Sequence, residues 1–190
     1  MNSLTLNTDA LHLDDEQFFQ LCQDNRDLQF ERNANGTLMI MPPTGGETGR
    51  RNFELCLELG LWNRQTQRGI AFDSSTGFKL PNGANRSPDA AWIPQERWEG
   101  LTTEEKRGFL PLCPDFVVEL RSPSDALTQL QGKMQEYVEN GTRLGWLIDL
   151  SSRTVHIYRP QQSVEVVNSP LELSGEGVLP GLILNCDRLW

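Results

Sequence analysis

Residues 114–149, PDFVVELRSPSDALTQLQGKMQEYVENGTRLGWLID, constrain the fold more than any other stretch of the chain. Phe116–Arg121 alternates as a strand, with Phe116, Val118 and Leu120 on one face and Val117, Glu119 and Arg121 on the other. Ser122, Pro123, Ser124 and Asp125 stop that strand. A helix over residues 126–140 follows, with Ser124 or Asp125 as its cap and Gly141 as its end. Residues 144–150 then read as another strand. Glu119 and Arg121 sit within otherwise apolar sequence, and a buried charge without a partner is costly. Metal binding is one arrangement that supplies the partner.

The helix carries an apolar stripe of Leu127, Leu130, Met134, Tyr137 and Val138, with Lys133 at its edge. That lysine either lays its stem along the core with its amine in water, or turns its charge inward. Upstream, Pro88 and Asp89 open a short strand, AAWI, in which Asp89 is either a turn residue or a second inward carboxylate. Asp149 reads most simply as a turn residue at a strand end.

The rest of the chain supplies ordinary elements. Residues 1–9 show no pattern and read as a loose tail, and LDDEQFFQLCQDN reads as a short amphipathic helix with an Asp cap. Asn33-Ala34-Asn35-Gly36 joins residues 28–32 and 37–41 in a hairpin, because Asn-Gly tolerates the positive φ such turns need. Residues 47 to about 67 form a long helix ending near Gly69, with Phe53, Cys56, Leu57, Gly60 and Leu61 at helical spacing. Glu47, Arg51, Glu54 and Glu58 share a face of it. A solvated, ion-paired stripe accounts for Glu54 and Glu58. Glu47, in the first turn, either favours the helix dipole or points into a cleft.

Strands at residues 70–73 and 77–80 follow. Residues 94–114 are an excursion, with a helix start near Thr103, that allows an antiparallel return. Residues 154–159 and 164–167 are further strands, and GVLPGLILNCDRLW covers the core. Without repeats or linkers, residues 1–190 make a single α+β domain with a mixed sheet and helices on its faces, residues 1–27 being an N-terminal extension.

Composition narrows the function classes. No apolar run is long enough to span a bilayer and no basic-then-apolar leader opens the sequence, so no membrane role and a cytoplasmic location are expected. Cys22, Cys56, Cys113 and Cys186 are scattered without a C-x-x-C pair, which points to reduced, separate thiols. A net charge of −9 argues against tight non-specific nucleic-acid binding, so any nucleic acid must be met by a local patch. His12 and His156 are isolated, Cys113 has no histidine partner in sequence, and no phosphate loop, nucleophile elbow or H-E-x-x-H is present.

Two carboxylates on strands with a nearby cation suit metal-assisted phosphodiester hydrolysis. Two such charges repel by about 4 kcal/mol at about 4 Å and an effective dielectric near 20, so the pair wants a cation between them. Oxygen ligands without a His or Cys cluster favour Mg²⁺ or Mn²⁺. Arg121 can serve only electrostatically, whereas Lys133 could also move a proton.

Pro88-Asp89 followed by Glu119-Leu120-Arg121 resembles the PD-(D/E)XK signature of the restriction-endonuclease-like superfamily, with arginine in the lysine position. The wider pattern is MPPTGGE before a helix, SPDAAWI, VVELRSPSD, a helix with K-x-x-x-Y, and the closing GWLID. It resembles the Uma family of endonucleases, long catalogued as a domain of unknown function, from about Leu28 to Trp190. The resemblance implies an αβββαβ core with an N-terminal helix and hairpin and extra C-terminal strands. It implies Asp89 and Glu119 as ligands of Mg²⁺ or Mn²⁺, Glu47 near the start of the first core helix, and DNA as substrate. It further implies Lys133 in the role of the displaced lysine. Paired cuts on duplex DNA would favour a homodimer, an expectation by fold analogy alone. The competing expectation is a non-catalytic interaction or assembly module on a degenerate nuclease fold.

Overall fold

The structure, a computed structural model, describes residues 4–8 and 13–190, so His12 and parts of the expected N-terminal tail lie outside it. Strand β1 (Leu4–Leu6) corrects the reading of residues 1–9 as a tail. It is too short for its period to show in sequence. Helix α1 (Asp15–Asp24) begins at Asp14, whose side chain accepts the Gln17 N–H while the Gln17 side chain accepts the Asp14 N–H. This reciprocal cap satisfies two otherwise orphan donors. β2 (Gln29–Arg32) and β3 (Leu38–Met41) form the expected hairpin, with Gly36 at φ 91° in its turn, and β1 pairs antiparallel with β3.

Helix α2 (Gly46–Thr66) runs without proline and stops at Gln67, which takes a left-handed conformation. The expected stop near Gly69 is therefore corrected. Gly69 instead opens β4 (Gly69–Asp73), where an added Cβ would collide with the Ile93 carbonyl oxygen. The buried face of α2 also differs from expectation. Leu55, Leu59 and Trp62 are buried, whereas Phe53 is 66% exposed and Leu57 and Leu61 are also open. Apolar residues occupy two sides of this helix, and only the side that meets a sheet gains the roughly 1.5–3 kcal/mol of burying a large side chain.

β5 (Phe78–Lys79) and β6 (Asn85–Arg86) pair with each other and extend the hairpin to a small sheet ordered β1-β3-β2-β6-β5. The chain then crosses through Ser87 and Pro88 into β7 (Ala90–Pro94). Helix α3 (Gln95–Glu99) and the excursion that contains it lead to β8 (Phe116–Arg121), which returns antiparallel to β7. Helix α4 (Leu127–Glu139) connects β8 to β9 (Leu144–Asp149), and supplies the crossover that the parallel pairing of β8 and β9 needs. β10 (Thr154–Tyr158) and β11 (Glu165–Asn168) complete a large sheet ordered β11-β10-β9-β8-β7-β4. β12 (Glu172–Ser174) and β13 (Ile183–Asn185) form a closing ribbon.

The central strands of the large sheet, β7 to β10, are buried on both faces. On one, Phe116, Val118 and Trp146 pack with Leu55, Leu59 and Trp62 of α2, with Leu184 of β13 and with Leu189 beyond it. On the other, Val117, Leu147 and Tyr158 pack with Met134 and Tyr137 of α4. The elements α2, β4, β7, β8, α4 and β9 thus give the αβββαβ order of a restriction-endonuclease-like fold. The small sheet abuts this core where the chain passes from β6 to β7.

Candidate active site

That crossing places Asp89 beside β8. The Leu120 N–H donates to Asp89 Oδ2 at 2.7 Å, and Asn52 Nδ2 of α2 donates to Oδ1 at 3.2 Å. Asp89 keeps some exposure, yet protein replaces most of its water, and this desolvation pushes its carboxyl up to about 6. Glu119, on the β8 face toward α4, is 5% exposed. Its Oε1 accepts from Lys133 Nζ at 2.7 Å and from the Tyr137 hydroxyl at 3.1 Å. Burial pushes Glu119 up to about 7, because the lysine's attraction is opposed by the negative charges of Asp89 and Glu31.

Lys133 lies between two carboxylates, 2.7 Å from Glu119 Oε1 and 2.8 Å from Glu31 Oε1. Burial works against its charge, but Glu119 and Glu31 outweigh this and raise its pKa, so it holds its proton at neutral pH. An ammonium held in this way suits an electrostatic part better than proton transfer. Its inward turn also settles the question left by its position at the stripe's edge.

Glu31 of β2 is 1% exposed and had no signal in the sequence beyond being an acid inside a four-residue strand. Besides Lys133 it accepts from the Ser87 N–H at 2.9 Å and pairs with Arg86 at 3.3 Å. Its burial opposes ionisation, but the charges of Lys133 and Arg86 hold its carboxyl below the usual range. Arg86 of β6 also donates to Glu136 of α4 at 2.6 Å and to Asn33 at 2.8 Å. Sequence reasoning missed Glu31, Arg86, Asn52 and Glu136. It placed Tyr137 in the core without its hydroxyl's role.

Arg121 stands apart. Its Nη1 meets Asp149 Oδ2 at 2.7 Å across the parallel β8–β9 register, and its Nε donates to the Asp125 carbonyl at 3.1 Å. Asp149 also accepts the Ser151 N–H as a turn residue. Asp125 does not cap α4. Its side chain accepts the Ser122 N–H, and the N-cap of α4 is Ala126 without a side-chain bond, which corrects the expected cap. Glu47 is open to water, its side chain 88% exposed and its carboxylate 3.2 Å from Arg51. Glu54 and Glu58 meet Arg188, as a solvated stripe should.

All four cysteines are free, and burial pushes each thiol up to about 11, so none is poised as a nucleophile. His156 is buried in β10, and that burial pushes its pKa down.

Among the described residues no group of three or more His, Cys, Asp or Glu side chains converges as a metal cage. Mg²⁺ does not need one, since it is commonly held by one or two carboxylates completed by water and substrate phosphate. The charge balance suits a cation. Asp89, Glu119, Glu31 and Glu136 are four carboxylates served by two cationic side chains, Lys133 and Arg86. The two acids pushed upward, Asp89 and Glu119, are those with least compensation.

A family model described as "Putative restriction endonuclease", Uma2, matches residues 15–187. Among solved structures, a putative nuclease belonging to DUF820 from Anabaena variabilis is similar at a TM-score of 0.71 and 23% identity. The match covers 84% of this chain and 88% of that one, and at this identity it concerns the fold. No curated protein matches in sequence. Among the described residues no helix is long and apolar enough to cross a membrane.

Proposed function

We propose, from the premise that the chain belongs to the Uma2 family of putative restriction endonucleases, that it is a metal-dependent endonuclease cutting phosphodiester bonds in DNA. The observation that carries this reading is the undercompensated carboxylate pair, Asp89 bonded to the Leu120 N–H and Glu119 on the preceding residue, with the Lys133 ammonium on Glu119.

Asp89 and Glu119 would hold Mg²⁺ or Mn²⁺. The ion would polarise the phosphate and lower the pKa of an attacking water. The protein's own contribution is preorganisation. The Leu120 amide and Asn52 fix the orientation of Asp89, and Tyr137 fixes that of Glu119. Lys133 presents a fixed positive charge where negative charge builds on the phosphate oxygens, and it holds its proton while doing so. Arg121, held by Asp149, stabilises the end of the strand pair rather than the reacting phosphate.

The test is cleavage of supercoiled and linear DNA, and of RNA, with Mg²⁺ or Mn²⁺. Calorimetric titration of Mn²⁺ into the parent, Asp89→Asn and Glu119→Gln accompanies it. Metal-dependent cutting of DNA, lost with metal binding in both variants, is expected. Cutting that survives both substitutions would sink the assignment. A chain that binds no ion and cuts nothing would leave the non-catalytic module as the better account.

A further inference from the structure

The grip on α4 from outside the αβββαβ core is the feature that the nuclease reading does not use. Lys133 and Glu136 lie three residues apart and so share one face of the helix. Both reach across to the small sheet. Lys133 Nζ sits 2.8 Å from Glu31 Oε1, and Glu136 Oε2 accepts from Arg86 Nε at 2.6 Å. Glu31 and Arg86 are themselves paired at 3.3 Å, and Glu31 is anchored a third time by the Ser87 N–H. Tyr137, the residue after Glu136, bonds Glu119 directly. Three side chains within one turn and a half of α4 are thus fixed, Glu136 by the small sheet, Tyr137 by Glu119 and Lys133 by both.

A lysine has four rotatable bonds, and an ammonium paired with Glu119 alone could take many rotamers. A second carboxylate at 2.8 Å selects the one that lies between both. Glu31 is 1% exposed, and the Lys133 ammonium, 2.8 Å from its Oε1, is its partner together with Arg86 and the Ser87 N–H.

We propose that Glu31 is a positioning residue that holds the Lys133 ammonium on the Glu119 side of the site, and that Arg86 fixes Glu31 for this task. The contact rests on geometry alone. Its effect on turnover rests on the nuclease reading. A misplacement of about 1 Å in a catalytic arrangement can lower a rate about 100-fold. Glu31→Gln should therefore lower kcat by about 10- to 100-fold with KM little changed, since Glu31 holds a group that acts on developing charge and not on substrate affinity.

A second readout does not depend on activity. The chain has three lysines, Lys79, Lys106 and Lys133. A buried, doubly paired ammonium exchanges its protons with water slowly, and it should give one persistent side-chain signal in ¹⁵N-resolved NMR that Lys133→Met removes. Glu31→Gln should speed that exchange by about tenfold or more while the melting transition stays cooperative. Should Glu31→Gln fail to fold, Glu31→Asp keeps the charge and shortens the reach by one methylene, and it should shift both readouts in the same direction.

A Lys133 signal unchanged in Glu31→Gln, or in Glu31→Asp where that variant stands in, would overturn the contact. Parent-like kcat with the signal lost would overturn its catalytic effect. A parent that cuts no nucleic acid would sink the nuclease reading, and the effect on turnover with it, while the ammonium signal still decides whether Glu31 holds the lysine.

Discussion

The Leu120 N–H donates to Asp89 Oδ2 across 2.7 Å, which ties the acid that opens β7 to the residue following Glu119 on β8. Asp89→Ala removes the acceptor of a buried amide and should cost about 1–3 kcal/mol of stability. Asp89→Asn keeps an acceptor oxygen and removes a charge that the site disfavours. At pH 8 without metal it should be at least as stable as the parent. Urea unfolding of both variants checks this, and an Asn variant as unstable as the Ala variant would refute it.

A pH dependence follows from the same two acids. Asp89 and Glu119 hold protons more tightly folded than unfolded, with folded values of about 6 and about 7. Their ionisation therefore opposes folding, and the contribution of these two acids to metal-free stability should fall as pH rises from about 4 to about 7, against the opposite contribution of His156, whose pKa is pushed down. Glu31, shifted the other way, contributes stability that is lost only as pH falls below its ordinary value of 4.5, and does not cancel the trend. Unfolding free energies of parent and Asp89→Asn/Glu119→Gln between pH 5 and 8 should differ in slope. Mn²⁺ affinity should rise through the same window, because protons compete for both ligands.

Arg121 and Lys133 should separate cleanly. Lys133→Met removes the cation on Glu119 and should lower cutting by about 100- to 1000-fold, the usual loss for one electrostatic stabiliser. Arg121→Ala leaves Asp149, whose side chain is 3% exposed, without its cation. It should lower stability by about 1–3 kcal/mol while cutting changes less than about tenfold. Rates and urea midpoints on the two variants give the comparison. Equal loss of activity would place Arg121 in the reacting centre after all.

On α2 the two apolar stripes predict opposite outcomes. Leu55→Ala should cost about 2–5 kcal/mol as a buried truncation, and Phe53→Ser about 0.5 kcal/mol or less as a surface change. Thermal or urea unfolding of the pair would show which stripe the sheet uses.

Much of the fold was legible because its signals are local. The Asn-Gly turn gave the hairpin, the uninterrupted run after Gly46 gave α2, and the alternation around Glu119 gave β8 with both its charges on one face. The αβββαβ order itself came from family resemblance rather than from periodicity. The buried stripe of α2 was not legible, since helical period identifies a face but not which of two apolar faces meets the sheet. Asp89, Glu119 and Lys133 were picked out and the fold gathers them. Glu47 sits in the open and Arg121 is turned to Asp149. Glu31 and Arg86 escaped because their meaning lies in strand partners remote in sequence, and a lone acid in FERN resembles any surface position.

The grip of the small sheet on α4 separates the topological unit from the chemical one. A chain begun at Gly46 would keep every strand of the large sheet, both helices that cover it, Asp89 and Glu119. It would lose Glu31, and with it the shared partner of Lys133 and Arg86. Grafting the recognisable core onto another scaffold would therefore transfer the fold without the full charge constellation, and the hairpin that looks like decoration would have to travel with it.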